Sequence, residues 1–342
     1  MLFAFLRMTE AHCRQKPVAA VLNDRAIIER SVVSPPASPD NRLQCALRHG
    51  GRAAPGRNAE PAHAGVVDAA RLGPVLALGR AGEFPDLRRL FIHCASLKEK
   101  CGAALGRMKA PRLIELWLRN STVGKGDVAA LAATPLFDDL RVLTFDGTDL
   151  NEAALEAIAA RPCAAKLRIL RLQATDSRTN LRSLARTALA RPGAFPALTT
   201  LELDSPYGQK MEEPDTAEFL TKLPTLNLRH LKLSYCNFDD ACAAALATNP
   251  AFAGLTRLII DGLGATGNPA KLQPKTIRKL FQSENLRKLI ELEMDRCRIG
   301  EGAEVLTDEA VLPNLARCSL SGVPEKVAQK LNKKRPVVYC RS

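Results

Sequence analysis

The sequence predicts an α/β solenoid, a horseshoe with a parallel sheet along its concave face and helices on its convex one. Three observations predict it. The pattern Leu-x-x-Leu-x-Leu, or a near variant, begins at Leu87, Leu113, Leu140, Leu167, Leu198, Leu228, Leu255, Leu289 and Leu315. The intervals are 26, 27, 27, 31, 30, 27, 34 and 26 residues, a period that marks stacked repeats. Between the copies, strand-like alternation gives way to helical spacing.

The elements follow in chain order. Residues 1–65 carry no repeat and are rich in Arg, Ala and Pro. The run Ser34-Pro35-Pro36-Ala37-Ser38-Pro39 is loop-like, so most of this extension reads as disordered, with Val18–Arg30 as its candidate short helix. Residues 66–86 form a capping coil, with a helix expected over Val66–Leu78 that Pro74 would break. Residues 87–322 hold about nine repeats. In each, the fourth and sixth positions point to one side of a strand, as in Leu143 and Phe145 or Leu231 and Leu233. One such strand cannot shield its apolar side, whereas a stack of identical neighbours can. The ninth position is small, polar or Cys (Ser121, Thr148, Thr175, Cys236, Cys297), suited to bonding the next coil's backbone.

Behind each strand the spacing turns helical, as in Leu155, Ile158 and Ala159. Acids open the helices at Asp127 and at Asp239-Asp240. Pro135, Pro162, Pro192 and Pro250 fall near helix ends, and Phe84, Phe137, Phe195 and Phe252 recur three residues before the next repeat. Two insertions, 205–214 and 262–275, interrupt the spacing, and a helix is expected at Thr276–Phe281. Residues 323–342 close the stack with a helix at Val323–Leu331, the basic run Lys333-Lys334-Arg335 and a short strand at Val337–Tyr339.

Positions 84–322 resemble the ribonuclease-inhibitor-like group of leucine-rich repeats, which also resembles Ran GTPase-activating proteins, F-box adaptors and many bacterial repeat proteins. The motif that carries the resemblance is Leu-x-x-Leu-x-Leu-x-x-[Asn/Cys/Thr]-x-[Leu/Ile]. It implies a fold and is blind to function. Ser177 stands where an apolar residue is expected, and Pro206 holds a ninth position. A GTPase-activating role has no motif residue here and stays an analogy.

Composition agrees. The chain has 342 residues, 46% apolar, with only 4% aromatic, which suits a Leu/Ala-packed solenoid. No apolar run of 18 or more residues occurs, so no membrane span is expected. The ten cysteines show no CxxC and no zinc-ligand spacing. With no secretory signal at the start, a reducing cytoplasm is expected. The net charge of +13 is concentrated at 1–65, at 271–288 and at 323–342, leaving the body near neutral.

The concave face supplies the candidate binding residues. The third, fifth, seventh and eighth positions point outward from the core. The fifth gives Phe91, Trp117, Thr144, Arg171, Glu202, Lys232, Ile259, Glu293 and Ser319. The seventh gives His93, Arg119, Asp146, Gln173, Asp204, Ser234, Asp261, Asp295 and Ser321. Trp and Arg dominate binding hot spots, so Phe91, Trp117, Arg119 and Arg171 are the expected contacts. Packing beneath the N-terminal coil is the alternative for the aromatics. Asp146 is a further expected contact, and Asp261, Glu291, Glu293 and Asp295, with Asp204 and Glu202 further along the face, cluster carboxylates for a cation or a basic partner. Otherwise they are a solvated face partly neutralised by Arg257, Arg296 and Arg317.

Catalysis has little support. His93 and His230 lie far apart in the stack, and no serine elbow, zinc motif or P-loop occurs. Gly262-Leu263-Gly264-Ala265-Thr266-Gly267 spells GxGxxG after a strand, but one strand per coil offers no crossover crevice, so an irregular loop is expected and no cofactor. The sequence thus predicts a non-catalytic, cytoplasmic module that binds a protein partner on its concave face. Association with nucleic acid or an anionic surface through 271–288 and the basic tail is the alternative.

Overall fold

The computed structural model describes residues 65–68, 83–93, 105–119, 127–146, 152–173, 188–204, 215–224, 227–236, 238–262 and 270–341. The extension up to residue 64, Cys94, Ser121, Thr148, Thr175, Ser177, the 205–214 insertion and Leu263–Pro269 lie outside them, as do the side chains of His93 and Arg119.

Among the described residues, eleven strands form one sheet in strict chain order, every pairing parallel. They are β1 (Gly65–Asp68), β2 (Arg89–His93), β3 (Glu115–Arg119), β4 (Val142–Asp146), β5 (Ile169–Gln173), β6 (Thr200–Asp204), β7 (His230–Ser234) and β8 (Arg257–Asp261). After the short β9 (Ala270–Lys271) come β10 (Glu291–Asp295), a short β11 (Cys297–Arg298), β12 (Arg317–Ser321) and β13 (Val338–Arg341). β9 and β11 pair separately, Cys297 opposite Ala270.

Register is exact to the residue because the leucines require it. Leu116 stands opposite Leu143, and Leu143 opposite Leu170, so slipping any strand by one residue would turn its leucines to solvent. The fourth-position residues from Leu90 through Leu292 are all buried. So are the sixth-position residues Ile92, Leu118, Phe145, Leu172, Leu203, Leu233, Ile260, Met294 and Leu320. A second ladder runs through position two. Arg141 N–H bonds to Ile114 C=O, Arg168 to Arg141, Thr199 to Arg168, Arg229 to Thr199, Thr256 to Arg229 and Ile290 to Thr256. Each coil therefore satisfies its neighbour's backbone.

The convex layer holds helices α1 (Asp127–Ala132), α2 (Glu152–Ala159), α3 (Asp215–Lys222), α4 (Asp240–Thr248), α5 (Pro274–Phe281) and α6 (Glu325–Lys334). Asp239 caps α4 by accepting from Cys242 N–H at 2.8 Å, as its acidic start predicts. Pro135, Pro162 and Pro250 do more than end helices. Each opens a short 3-10 turn, where a missing N–H is harmless and the fixed φ is already suitable. Those turns deliver Phe137 and Phe252 into the core, and Phe195 is buried likewise.

Three expectations need correction. Val66–Asp68 belongs to β1 rather than to a helix, and Val66 pairs with Phe91; the rest of that expected helix lies outside the described residues. Two β-branched valines flanking one another favour a strand. The last helix runs Glu325–Lys334, because Pro324 holds an extended conformation at its N-cap. The final strand spans Val338–Arg341 and adds a full rung beside β12.

Candidate partner-binding face

Positions three, five and seven of the strands make three rows across the sheet. Row five reads Phe91, Trp117, Thr144, Arg171, Glu202, Lys232, Ile259, Glu293 and Ser319 on successive rungs. Row seven carries Arg119, Asp146, Asp204, Asp261 and Asp295. The expected contact residues thus share one face. Row-five side chains are half-buried, apart from Thr144, which is buried.

At one end the rings of Phe91 and Trp117 meet at 5.0 Å between centroids, tilted by 57°, within the favourable range for an aromatic pair. The Arg171 guanidinium lies 5.8 Å from the Trp117 ring centre, close enough for a cation–π contact. Its Nε also donates to Glu202 Oε1 at 3.0 Å. Arg89 and Glu115 pair at 3.1 Å one row away.

At the other end lies a groove of about 500 Å³, lined among others by Glu202, Asp204, Lys232, Ile259, Glu293 and Asp295. Burial pushes the Asp204 carboxyl up to about 6, against a lowering by Lys232 and with Asp146 and Glu202 adding to the rise. His230 lies 4.0 Å from Glu202, and burial lowers its pKa. Arginines do neutralise part of this tract. Glu291 sits between Arg257 at 3.0 Å and Arg317 at 3.2 Å.

Asp261 is held by Arg296, whose Nε donates to it at 2.7 Å. The same guanidinium stacks 4.9 Å from the Tyr235 ring and donates to Tyr235 Oη at 3.2 Å. Sequence reasoning gave Tyr235 no role. It and Arg296 occupy the eighth position of their repeats with φ of 55° and 51°. That left-handed backbone aims both side chains back across the Asp261 rung, and nothing in a Leu-spacing pattern signals it.

Among the described residues no group of three or more His, Cys, Asp or Glu is placed to hold a metal. Nor, among the described residues, is any helix long and apolar enough to cross a membrane. Most of the basic residues lie away from the concave rows, although β13 sets Arg341 in register with Ser321 of row seven. Arg278 and Lys279 are exposed on α5, which packs in the helical layer beside α4. Of the tail, Lys330 pairs with Glu304, while the Arg335 guanidinium is buried and donates to the carbonyls of Val311 at 2.6 Å and Leu312 at 2.5 Å. Cys163, Cys242, Cys297 and Cys318 are buried free thiols. Burial raises Cys163 to about 11 and Cys318 to about 12. Cys236 does bond to a neighbouring coil, its Sγ donating to Leu203 C=O at 3.7 Å.

No family model matches the chain, and no curated protein matches it. Solved structures do. A chain in the crystal structure of the yeast Rad7–Elc1 complex is 18% identical with a TM-score of 0.50; the match covers 75% of this chain and 63% of that one. The fold is a leucine-rich-repeat solenoid. This solenoid also overlaps more loosely with a Bacteroides fragilis protein (15% identity, TM-score 0.38, 75% of this chain and 66% of that one). An internalin from Listeria monocytogenes gives 14% identity and a TM-score of 0.34, over 75% of this chain and 81% of that one. The solenoid thus spans less than two thirds of the length of the first two.

Proposed function

We propose that this solenoid is a non-catalytic interaction module that binds a protein partner on its concave face. One observation carries the reading: the aromatic pair Phe91–Trp117, with Arg171 over the indole, stands on a sheet surface that otherwise mixes charges of both signs with small and aliphatic side chains. Flat aromatics and arginine give the largest contact free energies at protein interfaces. A face of mixed sign suits a protein surface better than nucleic acid, which favours one sign throughout. Arg119, Asp146, Asp204, Asp261, Glu293 and Asp295 would supply polar contacts around that centre. The domain reading stays as the sequence suggests: an extension at 1–65, a first coil at 66–86, the repeats at 87–322 and a closing coil at 323–342. The repeat length also favours the ribonuclease-inhibitor-like group, and buried unpaired thiols favour a reducing, cytoplasmic setting.

The test is affinity capture from the native host with wild-type protein and with Trp117→Ala. The variant loses the captured partner while its melting temperature falls by no more than about a degree or two. Equal loss of folding and of capture would count against the reading.

A further inference from the structure

We propose that the β2–β5 part of the concave face takes a carboxylate-bearing side chain flanked by an apolar one, presented by an extended segment of the partner. This rests on the concave-face reading above and names the chemistry it recognises.

The argument starts from two polar atoms. Trp117 Nε1 and Thr144 Oγ1 are buried, and neither makes a hydrogen bond. Thr144 is 7% exposed. The two residues stand directly opposite one another in row five. A buried group left without a partner costs about 1–3 kcal/mol, so two on adjacent rungs of an outward-facing row need a physical reason. An indole N–H can only donate, and a threonine hydroxyl can donate as well. The third polar group is the Arg171 guanidinium, which also only donates. Arg171 is the next residue in the row after Thr144, yet its guanidinium reaches the Trp117 ring. The side chain therefore spans the Thr144 rung, held on its other side by Glu202. Trp117 Nε1 and Thr144 Oγ1 lack a partner, and the Arg171 guanidinium beside the indole carries further N–H groups besides the Nε that Glu202 takes, so an acceptor is what this tier can receive.

The surroundings specify the rest. The Phe91 and Trp117 rings form an apolar wall beside these donors. On β2–β5, rows three, five and seven carry three arginines (Arg89, Arg119, Arg171) against two acids, Glu115 and Asp146. On β6, β7, β8 and β10 the same rows carry six acids against Lys232 and Arg257. An acidic segment is drawn to the first half and repelled by the second. Rungs are about 4.8 Å apart, so Phe91 to Arg171 spans about 14 Å, the length of four or five extended residues. On binding, Arg171 exchanges Glu202 for the incoming carboxylate and swings off the rung, which uncovers Thr144 Oγ1 and Trp117 Nε1 to the same acceptor.

The protein has one tryptophan, so its emission reports this tier alone. Full-length protein is titrated with the blocked peptide Leu-Glu-Phe-Glu-Leu and with its counterpart Leu-Lys-Phe-Lys-Leu. The acidic peptide gives a saturable change in Trp117 emission; the basic one gives none. Thr144→Val and Arg171→Leu, which keep the wild-type far-ultraviolet dichroism, each weaken the acidic peptide at least about five-fold, roughly 1 kcal/mol. Equal response to both peptides, no saturable response up to about 1 mM, or wild-type affinity in both variants overturns the proposal. If the peptides fail while capture of a cellular partner still depends on Trp117, only this chemistry is overturned and the concave-face reading stands. If capture is equally indifferent to Trp117, both fall.

Discussion

Asp204 faces the groove with its carboxyl raised to about 6, burial being the main cause. In the folded state the proton is held up to that pH, whereas an unfolded aspartate releases it near the ordinary value of 3.8. Between those two values the folded state binds more protons, so this group's contribution to stability falls as pH rises. Asp204→Asn keeps the shape and removes the buried charge. The variant therefore melts higher than wild type at pH 7.5, and the gap narrows at pH 5. Thermal unfolding of both at the two pH values checks it; a gap that stays constant would refute the assignment. Asp204, Asp261 and Glu293 could be placed on one face from sequence, because row membership follows from counting. That Asp261 is held by Arg296 and Tyr235 could not, since the left-handed φ at the eighth position depends on backbone geometry that the apolar spacing leaves open.

Between α6 and β13, Arg335 serves as the fastening of the last coil. Its Nη1 and Nη2 donate to Val311 and Leu312, with longer contacts to Leu306 and Asp308 at 3.4 Å. A charge-only reading of the run Lys333-Lys334-Arg335 makes it a solvated patch. Burial of the third residue appears only once α6 is stacked on the Gly300–Thr307 turn. Arg335→Met leaves those carbonyls without donors and costs about 3 kcal/mol. Hydrogen exchange should then speed up over 306–341 and leave β4–β7 protected; uniform loss of protection would contradict a local fastening. Gly322 is a second fixed point of this region. Its φ is +66°, and a Cβ there would sit 2.6 Å from Cys297 C=O. Gly322→Ala combines a strained backbone with a backbone clash and lowers stability by about 2 kcal/mol or more, read from chemical denaturation. The strand at 65–68 was hidden for the opposite reason: Gly65, Val66 and Val67 hold the rung without a single leucine, so the repeat motif passes over it.

Across the molecule, leucines alone predict the stacking order, because burying one side of a strand at a fixed period leaves a single arrangement that covers every rung. Leu143 is fully buried in the middle of that stack, and Leu143→Ala costs about 2–5 kcal/mol, measurable by urea unfolding. Charge is arranged just as consistently. The exposed lysines and arginines of α5 and α6 lie among the helices, not along the sheet rows, so duplex DNA should form no saturable complex at 0.15 M salt, an ionic strength that leaves specific contacts intact. Saturable binding with a steep salt dependence would revive the anionic-surface alternative. Because among the described residues each strand of the sheet pairs with the rungs immediately before and after it, a gene for this chain can gain or lose one whole unit by duplication or deletion while the remaining strands keep the same pairing pattern. Such an event lengthens or shortens the recognition strip by one row of side chains, so its reach is free to drift in discrete steps of one rung while the chemistry of the remaining rows is preserved.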